Sequence, residues 1–124
     1  MQIRSTQMLA FSDAEERGFR DRLRNMLQQD YPDDCGELGD RLDTVIDLGL
    51  ARARSYGIVR EKDIGLYFDV MFSLAYNFDT NPNYPWANEI LNRPGLLGET
   101  KIERLARLAQ QTLERETESA EEQQ

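Results

Sequence analysis

The side chains best suited to chemistry lie in one short segment, FDTNPNYPWANEIL, at residues 78–91. Its aspartate and asparagines at positions 79, 81 and 83 follow the D-x-N-x-N spacing with which calcium loops place their oxygen ligands. Such a loop also needs a glycine at its sixth position and a bidentate glutamate at its twelfth, where this sequence has Tyr84 and Ile90. We therefore predict no metal site here. The polar residues are expected to form turns and to cap helix ends.

Two aromatic residues of the same segment, Tyr84 and Trp86, suggest a different kind of site. Both side chains combine a large apolar ring with a polar edge, and such rings are enriched at the hot spots of protein interfaces. The rings could instead cover the open end of a helical bundle. The sequence leaves both interpretations open, and in the first of them Asp79, Tyr84 and Trp86 form a partner-binding site.

A further carboxylate, Asp69, lies within the most apolar stretch, REKDIGLYFDVMFSLAYNF, at residues 60–78. Asp69, Ser73 and Asn77 recur every four residues, so on a helix they would form one narrow polar stripe. This stripe could face solvent, meet an arginine of another helix, or contact a partner. A catalytic role would require a second carboxylate or a base at a defined distance. We add Asp69 and Asn77 to the predicted partner-binding residues.

The absence of certain residue types limits the possible chemistry. The sequence has no histidine, which removes the commonest general base and nearly every zinc site. Its single cysteine, Cys35, excludes an internal disulfide, and the acidic residues around it disfavour a thiolate. We predict no catalytic residue, cofactor or metal, and we expect a protein that is not an enzyme. An enzyme with paired carboxylates such as Asp69 and Asp79 is the weaker alternative.

Helical periodicity dominates the chain, and helices must therefore position these residues. The first part of the chain predicts one long or broken helix. A Ser-x-x-Glu capping pattern at Ser12 indicates that the helix restarts there, and Pro32 is expected to end it. The segment DDCGELG at 33–39 predicts a turn. The next helix is expected to end at Gly57, and Gly49 on its buried face predicts the close approach of another helix.

The second half of the chain continues this pattern. We expect a central helix over residues 60–78, a short helix that begins at Pro85, and a last helix with an apolar face over residues 102–113. No stretch shows strand-type alternation. The predicted fold class is all-α, a compact single-domain bundle of about five helices. The helical domain is expected over residues 1–115, and the Glu/Gln-rich tail, 116–124, is expected to be flexible or a frayed helix.

The charge and hydropathy of the chain restrict its partners and its location. The net charge is −8, and half of it comes from the terminal stretch ERETESAEEQQ, which has five Glu and one Arg. No basic stripe is present, so a nucleic-acid partner is not expected. No apolar run approaches the ~20 residues that span a bilayer, and the first residues lack the architecture of a signal peptide. We expect a cytoplasmic protein without a membrane partner.

Three stretches, IRSTQM, residues 56–91 and the closing helix, together resemble a known group of proteins. These are small helical proteins encoded beside spike-tip (PAAR) and effector genes of bacterial type VI secretion systems. Their shared pattern is YGI followed by charged residues, an apolar helix, and then FD…P…PWA..IL. The matching positions here are Tyr56, Gly57, Ile58, Phe78, Asp79, Pro82, Pro85, Trp86 and Ala87. The resemblance covers most of the chain but contains no chemically diagnostic motif.

This resemblance implies an accessory role in the loading or folding of a secreted effector, as a chaperone, co-adaptor or structural partner. The expected partner is then an effector, a spike-tip protein or another chaperone. The alternative is an immunity protein that binds and neutralises a cognate toxin through an acidic surface. The residues leave open the choice between these roles and the oligomeric state.

Overall fold

The computed structural model describes residues 12–122, with side chains as far as residue 118. In this part of the chain every regular element is helical, which confirms the predicted all-α helical bundle. The chain divides into two units, Met1–Leu48 and Gly49–Gln124, and the boundary between them lies within one helix. None of the described helices is both long enough and apolar enough to cross a membrane.

The described part of the first unit begins with a helix whose start was predicted correctly. Its elements are, in chain order, α1 (Asp13–Asp30), α2 (Pro32–Leu38), a 3-10 turn (Gly39–Arg41) and the first part of α3 (Leu42–Ser55). The Ser12 hydroxyl accepts a hydrogen bond from the backbone N–H of Glu15 at 3.2 Å, which confirms the N-cap. The helical turns expected before Ser12 lie outside the described residues.

The turn predicted after Pro32 is wrong, because the segment that follows is the short helix α2. Pro32 lies in the first turn of α2, where its missing N–H costs no intrahelical hydrogen bond and its fixed φ favours the helix. The same proline therefore ends one helix and begins the next. Gly39, with a φ of 53°, then ends α2.

One face of α1 is buried and the other carries exposed ion pairs. Phe19, Leu23 and Leu27 recur every four residues and are all buried. On the exposed side, Arg24 donates from Nη2 to Asp43 Oδ1 at 2.6 Å, and this bond is the main reason that the pKa of Arg24 is raised. Exposed pairs of this kind contribute little to stability, so the apolar face is what holds α1 in place.

The second unit contains the end of α3 and three further helices, α4 (Glu61–Ser73), α5 (Pro85–Leu91) and α6 (Gly98–Glu122). Gly57, with a φ of 84°, follows the end of α3 as predicted. The close approach predicted at Gly49 is also confirmed. A Cβ atom on Gly49 would lie only 2.5 Å from the ring of Phe68 in α4, so no side chain fits there.

The central helix α4 ends at Ser73, whereas a helix as far as residue 78 was predicted. A series of turns follows, in which the N–H of Phe78 bonds the carbonyl of Ala75 at 3.0 Å. These turns place two consecutive side chains, Phe78 and Asp79, in the interior.

Helix α6 packs on both α4 and α5. Its first residue, Gly98, lies so close to the α3–α4 turn that a Cβ atom would lie 2.1 Å from the carbonyl oxygen of Gly57. Three residues further on, Lys101 donates from Nζ to the carbonyl oxygen of Tyr56 at 2.8 Å, which places a positive charge at the end of α3. The tail, predicted to be flexible or a frayed helix, is helical as far as residue 122.

Candidate functional site

Asp79, one of the predicted partner-binding residues, lies inside the second unit with only 2% of its surface exposed. Its Oδ2 accepts a hydrogen bond from the Tyr56 hydroxyl at 2.7 Å, and its Oδ1 is 3.4 Å from Nη1 of Arg52. We call these three residues the Asp79 cluster. A buried carboxylate needs such donors to replace the water it has lost. The side chain is not accessible to a partner, which corrects the prediction of a direct contact there.

The Asp79 cluster joins two separate stretches of the chain. Tyr56 belongs to YGI and Asp79 belongs to FD, so their hydrogen bond joins segments that are 23 residues apart. The neighbouring Ile58 and Phe78 are fully buried. Burial, together with the bond to Asp79, raises the pKa of Tyr56 to about 12, so this phenol remains the protonated donor even in mildly alkaline solution.

A second buried phenol, Tyr67 of α4, lies against this cluster without bonding it. Its ring centroid is 5.0 Å from that of Phe78, and the side chain is fully buried. Its hydroxyl has no hydrogen-bond partner in the part of the chain that the structure describes. Burial, and to a lesser extent the charge of Asp79, raises the pKa of Tyr67. A buried hydroxyl that lacks a partner costs free energy on folding.

The asparagines near Asp79 form turns, as predicted. The side-chain amide of Asn81 donates to Asn77 Oδ1 at 3.1 Å and accepts from the N–H of Asn83 at 2.8 Å. Asn88 Nδ2 donates to the carbonyl oxygen of Asp79 at 3.1 Å. Asn77 is exposed in this turn instead of lying on the helical stripe predicted for it. Within the described residues, no group of three or more acidic or cysteine side chains could hold a metal ion.

The rings of Tyr84 and Trp86, two of the predicted site residues, are half-buried and lie close to each other. Their ring centroids are 6.0 Å apart with an interplanar angle of 62°, an edge-to-face arrangement. Burial, and next the charge of Glu116, raises the pKa of Tyr84. Trp86 also lines a pocket of about 310 Å³ between α5 and α6, which we call the Trp86 pocket. Part of each ring is therefore accessible beside a concave surface.

The rim of the Trp86 pocket contains arginines that the sequence analysis did not identify. Arg93, which follows the end of α5, pairs with Glu89 at 2.9 Å, while Arg104 and Arg107 extend from α6. The spacing of three residues between Arg104 and Arg107 places them on neighbouring positions of one helix face. That spacing was visible in the sequence, but the closeness of Trp86 to them is a tertiary feature.

Asp69 lies in a different groove, between α4 and α6. This groove has a volume of about 200 Å³, and Asp69 and Ser73 line it together with small residues of α6 such as Ala106 and Ala109. Asp69 is half-buried there. The α6 residues of this groove differ from those of the Trp86 pocket. The structure therefore does not bring Asp69 and Trp86 together into one surface.

Cys35 of α2 is buried, with 8% of its surface exposed. Burial, and next the negative charge of Asp34, raises the pKa of its thiol. Nucleophilic chemistry and metal ligation require the thiolate, which is therefore scarce at neutral pH. The expectation that the acidic surroundings of Cys35 disfavour a thiolate is confirmed.

Comparisons with known proteins add no family assignment. The chain matches no protein-family model, no curated protein and no solved structure. Function must therefore be inferred from the geometry of the second unit. That geometry combines an internal polar cluster at Asp79 with a half-exposed aromatic pair beside the Trp86 pocket.

Proposed function

We propose that this protein is a non-enzymatic accessory factor in the cytoplasm that binds another protein, as a chaperone or co-adaptor for a type VI secretion effector. The observation that carries the proposal is the half-exposed pair of Tyr84 and Trp86 beside a pocket. Tyrosine and tryptophan are enriched at interface hot spots, where a partner covers their rings. The secretion setting is supported by the resemblance of the YGI and FD…PWA segments to proteins of that system.

The arrangement of the carboxylates supports binding in preference to catalysis. A general base must reach the proton that it removes, directly or through one water molecule. The carboxylate of Asp79 is buried and already accepts hydrogen bonds from Tyr56 and Arg52. Asp69 lines the groove between α4 and α6, whereas Asp79 is enclosed in its own cluster. The paired-carboxylate alternative therefore has no support from the geometry of these two residues.

Affinity purification from the native cytoplasm tests this proposal. The tagged protein would be recovered together with its bound proteins, which mass spectrometry would identify. We expect an effector together with a spike-tip protein or another chaperone. Recovery of a toxin alone, with protection of cells that express that toxin, would replace the proposal with the immunity role.

Matched aromatic variants connect this result to the proposed surface. Trp86→Ala is expected to reduce recovery of the partner at least tenfold, because a hot-spot residue contributes about 2 kcal/mol or more. The control is Tyr76→Ala, which removes an exposed ring that also packs edge-to-face, against Phe72 at 5.1 Å. Recovery should be unchanged in this variant.

The thermal midpoint of each variant must be measured, because Trp86 is half-buried. The proposal fails if a folded Trp86→Ala protein retains its partner. It also fails if Trp86→Ala unfolds the protein while Trp86→Phe retains full binding, since the ring would then belong to the core.

A further inference from the structure

The floor of the Trp86 pocket is apolar. Trp86 and Ile90 of α5 and Leu108 of α6 line it, and Ile90 is itself almost fully buried. These residues belong to two helices that pack directly on each other. A pocket of about 310 Å³ with such a floor can receive an apolar side chain, which loses its contact with water there.

The rim of the pocket has the opposite sign of charge from the protein as a whole. The chain carries a net charge of −8, yet three arginines and only one glutamate line this pocket. Arg93 is already paired with Glu89 at 2.9 Å. Arg104 and Arg107 are exposed, and neither makes an ion pair with another described residue. Two guanidinium groups at the rim are thus available for an anionic ligand.

Guanidinium groups favour carboxylates because their planar donors match both carboxylate oxygens at once. Arg104 and Arg107 are neighbours on one helix face, so two carboxylates of the same segment can reach them while a third group enters the pocket. Nucleic-acid phosphates are a poorer match, because the rest of this acidic chain would repel a polyanion. The charge pattern therefore favours a short segment with local negative charge.

We infer that the Trp86 pocket binds an acidic segment of the partner protein, in which one apolar side chain enters the pocket over Trp86 and flanking Asp or Glu residues pair with Arg104 and Arg107. This inference rests on the proposed function and names the chemistry of the partner. The apolar side chain supplies most of the affinity, as expected for a desolvated anchor. The carboxylates supply specificity and faster association at low salt.

The first test selects ligands from random short peptides displayed on phage, with the full-length protein as the immobilised target. Parallel selections use the double variant Arg104→Glu/Arg107→Glu and the control Arg17→Glu, which reverses an exposed arginine of α1. We expect the enriched peptides to combine Asp or Glu with a nearby leucine or aromatic residue. This enrichment should be retained on the control and lost on the double variant.

Several results of this selection would overturn the inference. They are the absence of any enrichment, enriched peptides without an excess of acidic residues, and an enrichment that is the same on the double variant as on the unmodified protein. Thermal unfolding of the variants shows whether each target is folded, so that a loss of binding is not confused with a loss of structure.

The second test uses the fact that Trp86 is the only tryptophan of the chain. Titration of the most enriched peptide should change the tryptophan fluorescence in a saturable way, because the ligand covers that ring. Raising the salt concentration should weaken binding about tenfold, since exposed ion pairs are screened. A salt-independent affinity would contradict the role of the arginines.

A second copy of this chain is another possible occupant, because its terminal stretch has five glutamates. Sedimentation of the protein alone decides this point. A dimer that the double variant Arg104→Glu/Arg107→Glu dissociates would assign the pocket to self-association and overturn the inference. A species of unchanged mass in both proteins supports it.

The two proposals can fail separately. If the partner from affinity purification is lost with Trp86→Ala but retained with Arg104→Glu/Arg107→Glu, the protein is a binding factor and the inferred charge of its ligand is wrong. If selected acidic peptides bind while no partner is recovered, the pocket chemistry stands and the proposed function fails.

Discussion

Asp79 and Trp86 are only seven positions apart in the sequence, yet the charged groups around them differ. Those of the Asp79 cluster bond one another, whereas two of those at the Trp86 pocket are exposed. In the cluster, a carboxylate with 2% exposure receives hydrogen bonds from its own chain. At the pocket, Arg104 and Arg107 are exposed and make no ion pair with another described residue. A buried charge must be compensated internally, whereas an exposed charge remains hydrated and available.

This difference separates residues that maintain the fold from residues that can bind a partner. Substitutions in the Asp79 cluster should reduce the free energy of unfolding, whether or not a partner is present. Substitutions at the rim of the Trp86 pocket should reduce binding and leave that free energy almost unchanged. The sole tryptophan lies at the pocket, so its fluorescence can follow both unfolding and binding.

The largest effect is expected for Asp79→Ala. This substitution leaves the Tyr56 hydroxyl and the Arg52 guanidinium without their acceptor, and it removes buried atoms. We expect a loss of about 3 kcal/mol in the free energy of unfolding, measured by urea denaturation. The control is Asp40→Ala, at an exposed residue of the 3-10 turn, and it should change little. Equal effects of the two substitutions would contradict a structural role for Asp79.

A smaller effect is expected for Tyr56→Phe, which keeps the ring and removes only the donor to Asp79. The buried carboxylate would retain Arg52 at 3.4 Å as its side-chain partner. We expect a loss of about 1.5 kcal/mol in the free energy of unfolding. Tyr84→Phe is the matched control, because its hydroxyl makes no hydrogen bond with a described residue. A neutral Tyr56→Phe variant would show that the cluster does not depend on this bond.

The same bond predicts a loss of stability in alkali. The pKa of Tyr56 is about 12 in the folded chain, whereas a tyrosine in the unfolded chain has a pKa of about 10. The contribution of Tyr56 is therefore fully present below about pH 10 and is lost as the pH rises towards 12. Urea denaturation at rising pH should show a smaller loss for Tyr56→Phe than for the unmodified protein. An identical pH dependence would mean that Tyr56 is not the group that titrates.

A change of opposite sign is expected for Tyr67→Phe, which removes the buried hydroxyl without a partner. The free energy of unfolding should rise by about 1 kcal/mol, because the folded state no longer holds an unsatisfied polar group. Urea denaturation of Tyr67→Phe and of Tyr56→Phe measures this change. The two variants compare a phenol without a hydrogen bond with one that donates to Asp79. A loss of stability in Tyr67→Phe would mean that its hydroxyl has a partner in solution, such as an ordered water molecule.

The smallest effect on stability is expected for Arg104→Glu/Arg107→Glu. Both side chains are exposed at the rim of the pocket, so the free energy of unfolding should change by no more than about 0.5 kcal/mol for each residue. Urea denaturation measures this directly. A loss comparable to that of Asp79→Ala would remove the distinction between the two regions.

Local signals in the sequence predicted much of the fold because the physics behind them is local. The cap at Ser12 and the glycine at Gly57 act within a few residues, and both predictions are confirmed. The end of the central helix was misjudged, since the stretch up to residue 78 retains an apolar, helical pattern. In the structure α4 ends at Ser73, and the turns that follow it bury Phe78 and Asp79.

The candidate site was predictable only in part. Tyr84 and Trp86 were identified from their residue types, and the structure places their rings together beside a pocket. The burial of Asp79 was not foreseen, because most of its neighbours in the sequence are polar, whereas Asp69 lies in the most apolar stretch. Asp69 lines a groove and Asp79 is enclosed by Tyr56 and Arg52.

The sequence by itself determined the all-α class, the helix starts at Ser12 and Pro85 and the absence of histidine. Periodicity, capping and composition are properties of short segments or of the whole count of residues. Only the tertiary structure decided which carboxylate is buried and which arginines face Trp86. Tyr56 and Asp79 are 23 positions apart, and Trp86 and Arg104 belong to different helices. Whether a charged group is compensated depends on such distant neighbours, which no local pattern specifies.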